Sequence, residues 1–433
     1  MVENEWTPKL KLWLHERAIE AGFVTVGIAT VDAPDADPPT DIDAERFAAW
    51  VEAGHAGEME YLKRRDEQGV FLRSGVQIAM PWSRSVIVCA LDYNAPAPYS
   101  IDPAPSGAGW IARYAWSGRA VNNTSADPPE LIPTDYHDQL LTRLRRVEAA
   151  VQQRFACETR CYVDTGPILE RAVAAKAGVG WIGKNTCVIN QELGSWLLLA
   201  VIVTPIPVAP EVHFDIAADR CGSCTRCIDA CPTDALVAPH QMDASRCIAY
   251  LTIEKKGVIA EELRAPMGRQ IFGCDICQDV CPWNRKTQNH KTQNRKAPNP
   301  GTPDRASLAL NEGMLTRPQM VNPLLDWLAG MDAAEFKRWF KGSPVERTGR
   351  KRLHRNVAIA MGNTGDRRFF PQLETWVTAE DPALAEAAQW SIQRIDSLEA
   401  NATQPENRNK EEDPGKEPVS PASKAHAALL ASE

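Results

Sequence analysis

Apolar positions along this 433-residue chain change their period several times, and each change marks a different kind of element. Leu10, Trp13, Leu14 and Ala18 recur at helical spacing over residues 6–21, and residues 24–29 then read as a strand. A second strand is expected at 86–91. Leu140, Leu144, Val147 and Val151 put one apolar stripe on a helix over 136–155. A short strand at 161–164 precedes Gly166-Pro167 and a helix near 168–177, and the apolar run 196–203 reads as a buried strand. This alternation predicts an α/β domain over residues 1–215. The polar, proline-bearing stretch 118–134 within it reads as a loop.

The pattern then shifts. Residues 216–285 are dense in cysteine, and 286–306 form a polar linker in which Lys-Thr-Gln-Asn occurs at 286–289 and again at 291–294. From 307 to 398 the chain reads as all-helical, with 357–363 and 383–395 resembling paired helices of a HEAT-type unit. Residues 399–433 are rich in Pro, Glu, Lys, Asn and Ser, bury little, and are expected to be disordered.

Composition narrows the function classes. With 44% hydrophobic and 24% charged residues the chain is that of a soluble, multidomain protein, and it holds no apolar run long enough to span a membrane. The N-terminal residues lack the pattern of a secretory signal, so a cytoplasmic location is expected. The net charge of −8 argues against nucleic acid as a partner only weakly, because local patches do the binding. Twelve cysteines in a reducing compartment point to metal and not to disulfides.

Eight of those cysteines fall within 221–281. Cys221-x2-Cys224-x2-Cys227-x3-Cys231-Pro232 is the bacterial ferredoxin run, in which the first three thiolates wrap one [4Fe–4S] cluster and the fourth serves the other. Cys274-x2-Cys277-x3-Cys281-Pro282 repeats the end of the run, with Cys247 as the remaining ligand. The crossover rule then gives Cys221, Cys224, Cys227 and Cys281 to cluster 1, and Cys231, Cys247, Cys274 and Cys277 to cluster 2. Two structural zinc sites would use Cys-x2-Cys as well, but not the closed run with its trailing proline. Cys89, Cys157, Cys161 and Cys187 lie outside the pattern and receive no role.

The rest of the chain resembles the epoxyqueuosine reductases, cobalamin-dependent enzymes of queuosine synthesis in tRNA. The matching segments, from about residue 10 to 395, include Gly57–Leu62, Ala112–Ala115, Asp135-Tyr136-His137, Tyr162–Ala172, Ala177–Asn185, Arg246–Thr252 and Gly273–Asn284. The resemblance implies an α/β cobalamin-binding domain, a two-cluster domain and a helical tRNA-binding domain. It implies reduction of epoxyqueuosine to queuosine at the wobble position, with Asp164 as the acid that protonates the leaving oxygen. From the residues alone Asp164 would be an Asx-turn residue before Gly166-Pro167. Poor solvation against a corrin would raise its pKa and keep a proton available. The positions that match family cobalamin contacts are Arg73, Ala112, Asp164, Val188, Ala249 and Asp275. His137 reads as a pocket or helix-start residue, since the family does not use histidine below the cobalt. An insertion at about 121–133 departs from the family and bears on the rim of the pocket.

A tRNA partner also has a residue-level basis. Lys337, Arg338, Lys341, Arg347, Arg350, Lys351, Arg352 and Arg355 face a single acid, Glu346, and such clusters neutralise phosphate. Lys341, Arg347, Arg350, Lys351, Arg352 and Arg355 are the expected tRNA contacts. A second basic run is Arg285, Lys286, Lys291, Arg295 and Lys296. A low-potential flavodoxin or ferredoxin is the expected electron donor, and the chain is expected to act as a monomer. Two competing readings are a reductive dehalogenase-like cobalamin enzyme and a plain electron-transfer protein. The first would carry a twin-arginine export signal and lack the basic helical region; the second leaves the N-terminal half without a purpose.

Overall fold

A computed structural model describes residues 3–31, 42–121, 130–213, 216–285 and 313–403. The twofold Lys-Thr-Gln-Asn segment, the second basic run apart from Arg285, the centre of the insertion and the tail beyond 403 lie outside the described residues.

The N-terminal half is built on a sheet whose strands lie in the spatial order Thr25–Thr30, Ser85–Asp92, Leu197–Thr204 and Arg160–Tyr162. Every pairing in it is antiparallel, with Ile28 opposite Ile87, Val88 opposite Val201 and Cys161 opposite Ile202. Side chains alternate between its faces, as the pleat requires. Ile28, Ile87, Cys89, Leu91, Ala200 and Ile202 pack on one side against the helices Pro8–Glu20 and Tyr136–Phe155. Val86, Val88, Ala90, Val201 and Val203 pack on the other against the helix Glu170–Lys176. A Cβ at Gly27 would stand 2.0 Å from the Ala177 carbonyl oxygen, so only glycine lets this helix end lie flat on the sheet. Apolar periodicity marked these elements to within a residue or two, but it missed the helix Ile42–Glu52.

The long helix shows why its boundaries were readable. Asp135 caps it, accepting the His137 N–H at 3.0 Å, and Ala156 ends it in the left-handed region at φ 49°. Leu140, Leu144, Val147 and Val151 are fully buried on its inner face. Two readings need correction. The stretch expected to be a loop contributes an antiparallel strand pair, Ser117–Ala120 with Leu131–Pro133. The region from 307 is not all-helical either: Leu315–Thr316 adds a strand to that pair.

The cysteine-rich segment contributes several short helices, of which Arg226–Asp229 and Ile276–Asp279 pack together. Its strand Gln270–Phe272 pairs in parallel with Trp110–Ile111. The C-terminal helices Gly349–Thr364 and Pro382–Thr403 pack closely; a Cβ at Gly362 would fall 2.7 Å from Ser391 Cα. The last of these runs past the expected start of the tail. One apolar core joins Trp110, Ile111, Tyr250, Ile271 and Phe272 to Leu353, Val357 and Ile359. Cysteine segment and helical segment are thus fastened directly to each other, the helix Gly349–Thr364 lying on Gln270–Phe272.

Candidate redox and catalytic site

The cysteines of the segment lie near one another in space. Cys227 stands within electrostatic range of Cys281 and Cys221, and Cys281 of Cys221. Cys247, Cys274 and Cys277 influence one another, and Cys231 joins Cys247 and Cys274. Backbone N–H groups point at the sulfurs: those of Ala249 and Tyr250 at Cys247, Ile276 at Cys274, and Trp283 and Asn284 at Cys281. The Trp181 indole N–H has no oxygen or nitrogen acceptor and faces Cys221. Burial pushes the thiols up, Cys227 to about 11. Soft sulfur with amide donors around it is the donor set of an iron–sulfur cluster.

A residue outside the spacing pattern joins this group. Cys187 stands against the Cys277 thiol within hydrogen-bonding reach, although some 90 residues separate them in the chain. No periodicity could have announced it.

Asp164 lies immediately after the edge strand Arg160–Tyr162, in the left-handed region at φ 58°, a conformation Asp tolerates better than most residues. Gly166 is fixed by its neighbour, because a Cβ there would meet the Tyr162 ring at 2.5 Å. Asp164 opens into a cleft, its side chain 66% accessible. The Tyr136 hydroxyl donates to its Oδ2 at 3.1 Å, His137 Nε2 stands 3.9 Å from the same oxygen, and Glu170 Oε1 accepts the Asp164 N–H at 2.9 Å. Tyr114, Tyr61, Arg73 and Arg347 complete the surroundings.

The charge balance in the open cleft differs from the expectation. Crowding by the cleft walls pushes the Asp164 carboxyl up, but His137, then Tyr136 and Arg347, outweigh it and hold the group below the usual carboxylate range. Glu170 goes the other way: burial, then the Asp164 charge, push it up to about 8. At neutral pH the proton therefore rests on Glu170, and Asp164 is ionised while the cleft stands open.

The expected cofactor contacts separate into two groups. Ala112, Val188, Ala249 and Asp275 border the cluster 2 thiols: Ala112 packs on Gly273, Val188 follows Cys187, and the Ala249 N–H faces Cys247. Arg73 lies on the Asp164 side, donating to the Ile168 carbonyl at 3.3 Å. The Asp275 carboxylate is committed elsewhere. Only 1% exposed, it accepts from Trp110 Nε1 at 3.0 Å and the Arg113 N–H at 2.7 Å, leaving backbone as its contribution to a ligand.

The expected tRNA residues also divide. Lys341, Arg350 and Lys351 are exposed. Arg355 is 1% exposed and donates to the carbonyls of Leu251, Lys255 and Gly257 at 2.8, 2.9 and 2.6 Å; it cannot reach a phosphate. Arg352 is spent on the carbonyls of Thr348, Ile253 and Arg347. Arg347 turns into the cleft, 2.9 Å from His137 Nδ1 and 3.8 Å from Asp135. A charge run read along the sequence cannot show which of its members face inward.

The two thiol sets define the class: an iron–sulfur redox protein, here with an aspartate-headed cleft beside the clusters. Comparison with known proteins refines this. Residues 220–284 match the family described as a 4Fe-4S double cluster binding domain, and residues 73–165 match the epoxyqueuosine reductase QueG family. The epoxyqueuosine reductase of Xanthomonas campestris is 34% identical over 87% of this chain and 93% of its own length. That of Escherichia coli is 33% identical over 90% of this chain and 89% of its own. A crystal structure of an epoxyqueuosine reductase with an epoxyqueuosine-modified tRNA-Tyr stem loop superposes with a TM-score of 0.71, at 29% identity, covering 92% of this chain and 95% of that one. The Bacillus subtilis enzyme, captured with its catalytic aspartate loop swung out of the active site, gives 0.68 at 28% identity over 92% and 95% of the two chains. The chain belongs to the epoxyqueuosine reductase family. Among the described residues no helix is long and apolar enough to cross a membrane.

Proposed function

We propose that this protein reduces epoxyqueuosine to queuosine at the wobble position of tRNA, the last step of queuosine synthesis. The observation that carries the proposal is Asp164: a carboxylate open to a cleft, held by Tyr136 and His137, in a chain of this family whose cysteines form two cluster sets. Cys221, Cys224, Cys227 and Cys281 hold cluster 1; Cys231, Cys247, Cys274 and Cys277 hold cluster 2. Electrons enter from a low-potential donor such as a flavodoxin or ferredoxin, one at a time.

Cobalamin is the proposed second cofactor, seated between cluster 2 and Asp164. Tyr61, Tyr114 and Tyr136 lie on the Asp164 side, and Ala112, Val188, Ala249 and Asp275 are the positions that would meet the ring. Bound there, it would supply a strongly nucleophilic metal able to accept electrons from the cluster. The protein's own residues bind and protonate. Covering Asp164 with ring and nucleoside removes the water from a carboxyl that is otherwise 66% accessible, which moves it toward the protonated form that a leaving oxygen requires. Tyr136 orients that carboxyl, and Glu170 fixes its backbone. Lys341, Arg350 and Lys351 form the RNA-facing edge, with the wobble base turned out of its stack into the cleft. The helical segment that bears them is read as HEAT-like, and the enzyme as a cytoplasmic monomer.

The test is conversion. Anaerobically reconstituted protein with cobalamin and a strong reductant should turn epoxyqueuosine into queuosine in tRNA hydrolysed to nucleosides. Unchanged epoxyqueuosine, with clusters and cobalamin bound, would rule the proposal out.

A further inference from the structure

Turning an epoxide into an alkene breaks both carbon–oxygen bonds, forms a carbon–carbon double bond and releases the oxygen as water. The reaction consumes two electrons, delivered through the clusters, and two protons. Asp164 carries one proton at a time, so it must be recharged before the oxygen leaves as water.

We propose that His137 recharges it: the imidazole, anchored through Nδ1 by Asp135, passes the second proton through Nε2 to the Asp164 carboxylate. This rests on the reading of Asp164 as the acid of the site. His137 acts through Asp164 and is a positioning and relay residue; it does not touch substrate.

The geometry fixes the direction of the relay. Asp135 Oδ1 lies 2.6 Å from His137 Nδ1, and that oxygen also accepts the His137 N–H, so the ring cannot turn over without losing its anchor. The ring's other nitrogen then faces Asp164 Oδ2, 3.9 Å away. Small movement of either side chain closes this gap to hydrogen-bonding distance. Arg347 Nη2 lies 2.9 Å from Nδ1 and 3.3 Å from Nε2. A nitrogen so nearly equidistant from both cannot lie in the ring plane, where the Cε1–H stands; the guanidinium therefore stacks over the ring and leaves both in-plane directions to the carboxylates.

The charges facing His137 come from Asp135 on its own helix cap, Asp164 and Glu170 from beyond the edge strand, and Arg347 from the C-terminal segment; Tyr136 stacks beside it with centroids 3.9 Å apart. Burial pushes the imidazole down, but Asp135 and Asp164 outweigh burial and Arg347 and raise it above its ordinary value. The proton is therefore held to higher pH than on an exposed histidine and is lost as pH rises through the raised value. Glu170 also holds a proton, but its Oε1 is engaged with the Asp164 backbone N–H, and among the described residues no hydrogen bond joins the two carboxyl groups. Tyr136 can donate to Asp164, yet burial and Asp164 push its hydroxyl well above the ordinary range, so it orients better than it delivers.

Two measurements test the relay. The first needs neither cofactor nor tRNA: titration of 13C-labelled histidine by NMR in the full-length protein and in its Asp164→Asn and Asp135→Asn variants. His137 should titrate above an exposed histidine and fall toward it in each variant; a midpoint unmoved by Asp164→Asn would overturn the coupling. The second is single-turnover conversion over pH 6–9. Wild-type rates should fall as His137 loses its proton. His137→Ala should be slower by about a hundredfold, lose the part of the fall that follows His137, and be partly restored by added imidazole. A folded His137→Ala protein with the wild-type pH profile, or with no response to imidazole, would overturn the relay. Failure of wild type itself to convert would count against the proposed reaction and leave the NMR coupling to stand or fall separately.

Discussion

Replacing Arg355 by methionine separates the two meanings of a basic residue in this fold. Arg355 lies in the basic run that suggests RNA binding, yet its guanidinium is buried, with no carboxylate among its hydrogen-bond partners. Burial, then the neighbouring Arg352, lower its pKa to about 10, so it stays charged at neutral pH. What compensates the charge is a set of carbonyls at the end of the helix Ile248–Ile253, the segment that carries Ala249 next to Cys247. Arg355→Met keeps the apolar stem but strands two buried acceptors, the Leu251 carbonyl and Asn356 Oδ1, and leaves the partly exposed carbonyls of Lys255 and Gly257 to water. At about 1–3 kcal/mol for each buried acceptor, less the relief of no longer burying a charge, the loss is roughly 2 kcal/mol. That lowers the first melting transition by about 4–8 °C. The assay pairs a thermal melt with tRNA affinity measured across salt concentrations well below the melt. Arg355→Met should melt early and keep the wild-type salt slope. Lys351→Ala should melt normally and lose about one unit of that slope, as a phosphate contact does. A stable Arg355→Met protein with a reduced slope would refute the assignment.

Three further predictions address the site and its frame. Cys281→Ser should cost cluster 1 and Cys247→Ser cluster 2, each leaving about half the iron; if both variants lose the same cluster by EPR, the crossover assignment fails. Glu170→Gln should melt above wild type at pH 9, with the difference closing toward pH 4.5. The raised carboxyl contributes stability fully present below its unfolded value and lost as pH climbs through about 8; equal melts at pH 9 would contradict its burial. Gly362→Ala should destabilise the helical region by about 1–3 kcal/mol, because the new methyl meets Ser391 Cα at 2.7 Å, and an unchanged melt would argue against that close approach.

Much of the redox site was legible because cluster ligation is a local matter: Cys-x2-Cys-x2-Cys-x3-Cys-Pro encodes a turn and a short helix within a dozen residues. The long helix was legible for the same reason, its stripe and its Asp135 cap both lying within it. Strand direction was not, since short strands alternating with helices fit parallel and antiparallel sheets alike, and here every pairing in the central sheet is antiparallel. Contacts that join distant segments left no trace in the pattern. Cys187 meets Cys277, and Arg347 crosses from the helical region to His137. Arg355 gave a faint hint: it begins a stretch, through Val357, Ile359 and Met361, that is buried on every side, and a helix of that kind has no face left for RNA.

The measurement closest to the central claim is the queuosine formed per enzyme by wild type and Asp164→Asn, both carrying equal iron and cobalamin, on tRNA bearing epoxyqueuosine. The account predicts conversion by wild type and a loss of at least a hundredfold in the variant, since the leaving oxygen then has no acid. Equal conversion by the two proteins would contradict the role given to Asp164, and with it the chemistry assigned to this cleft.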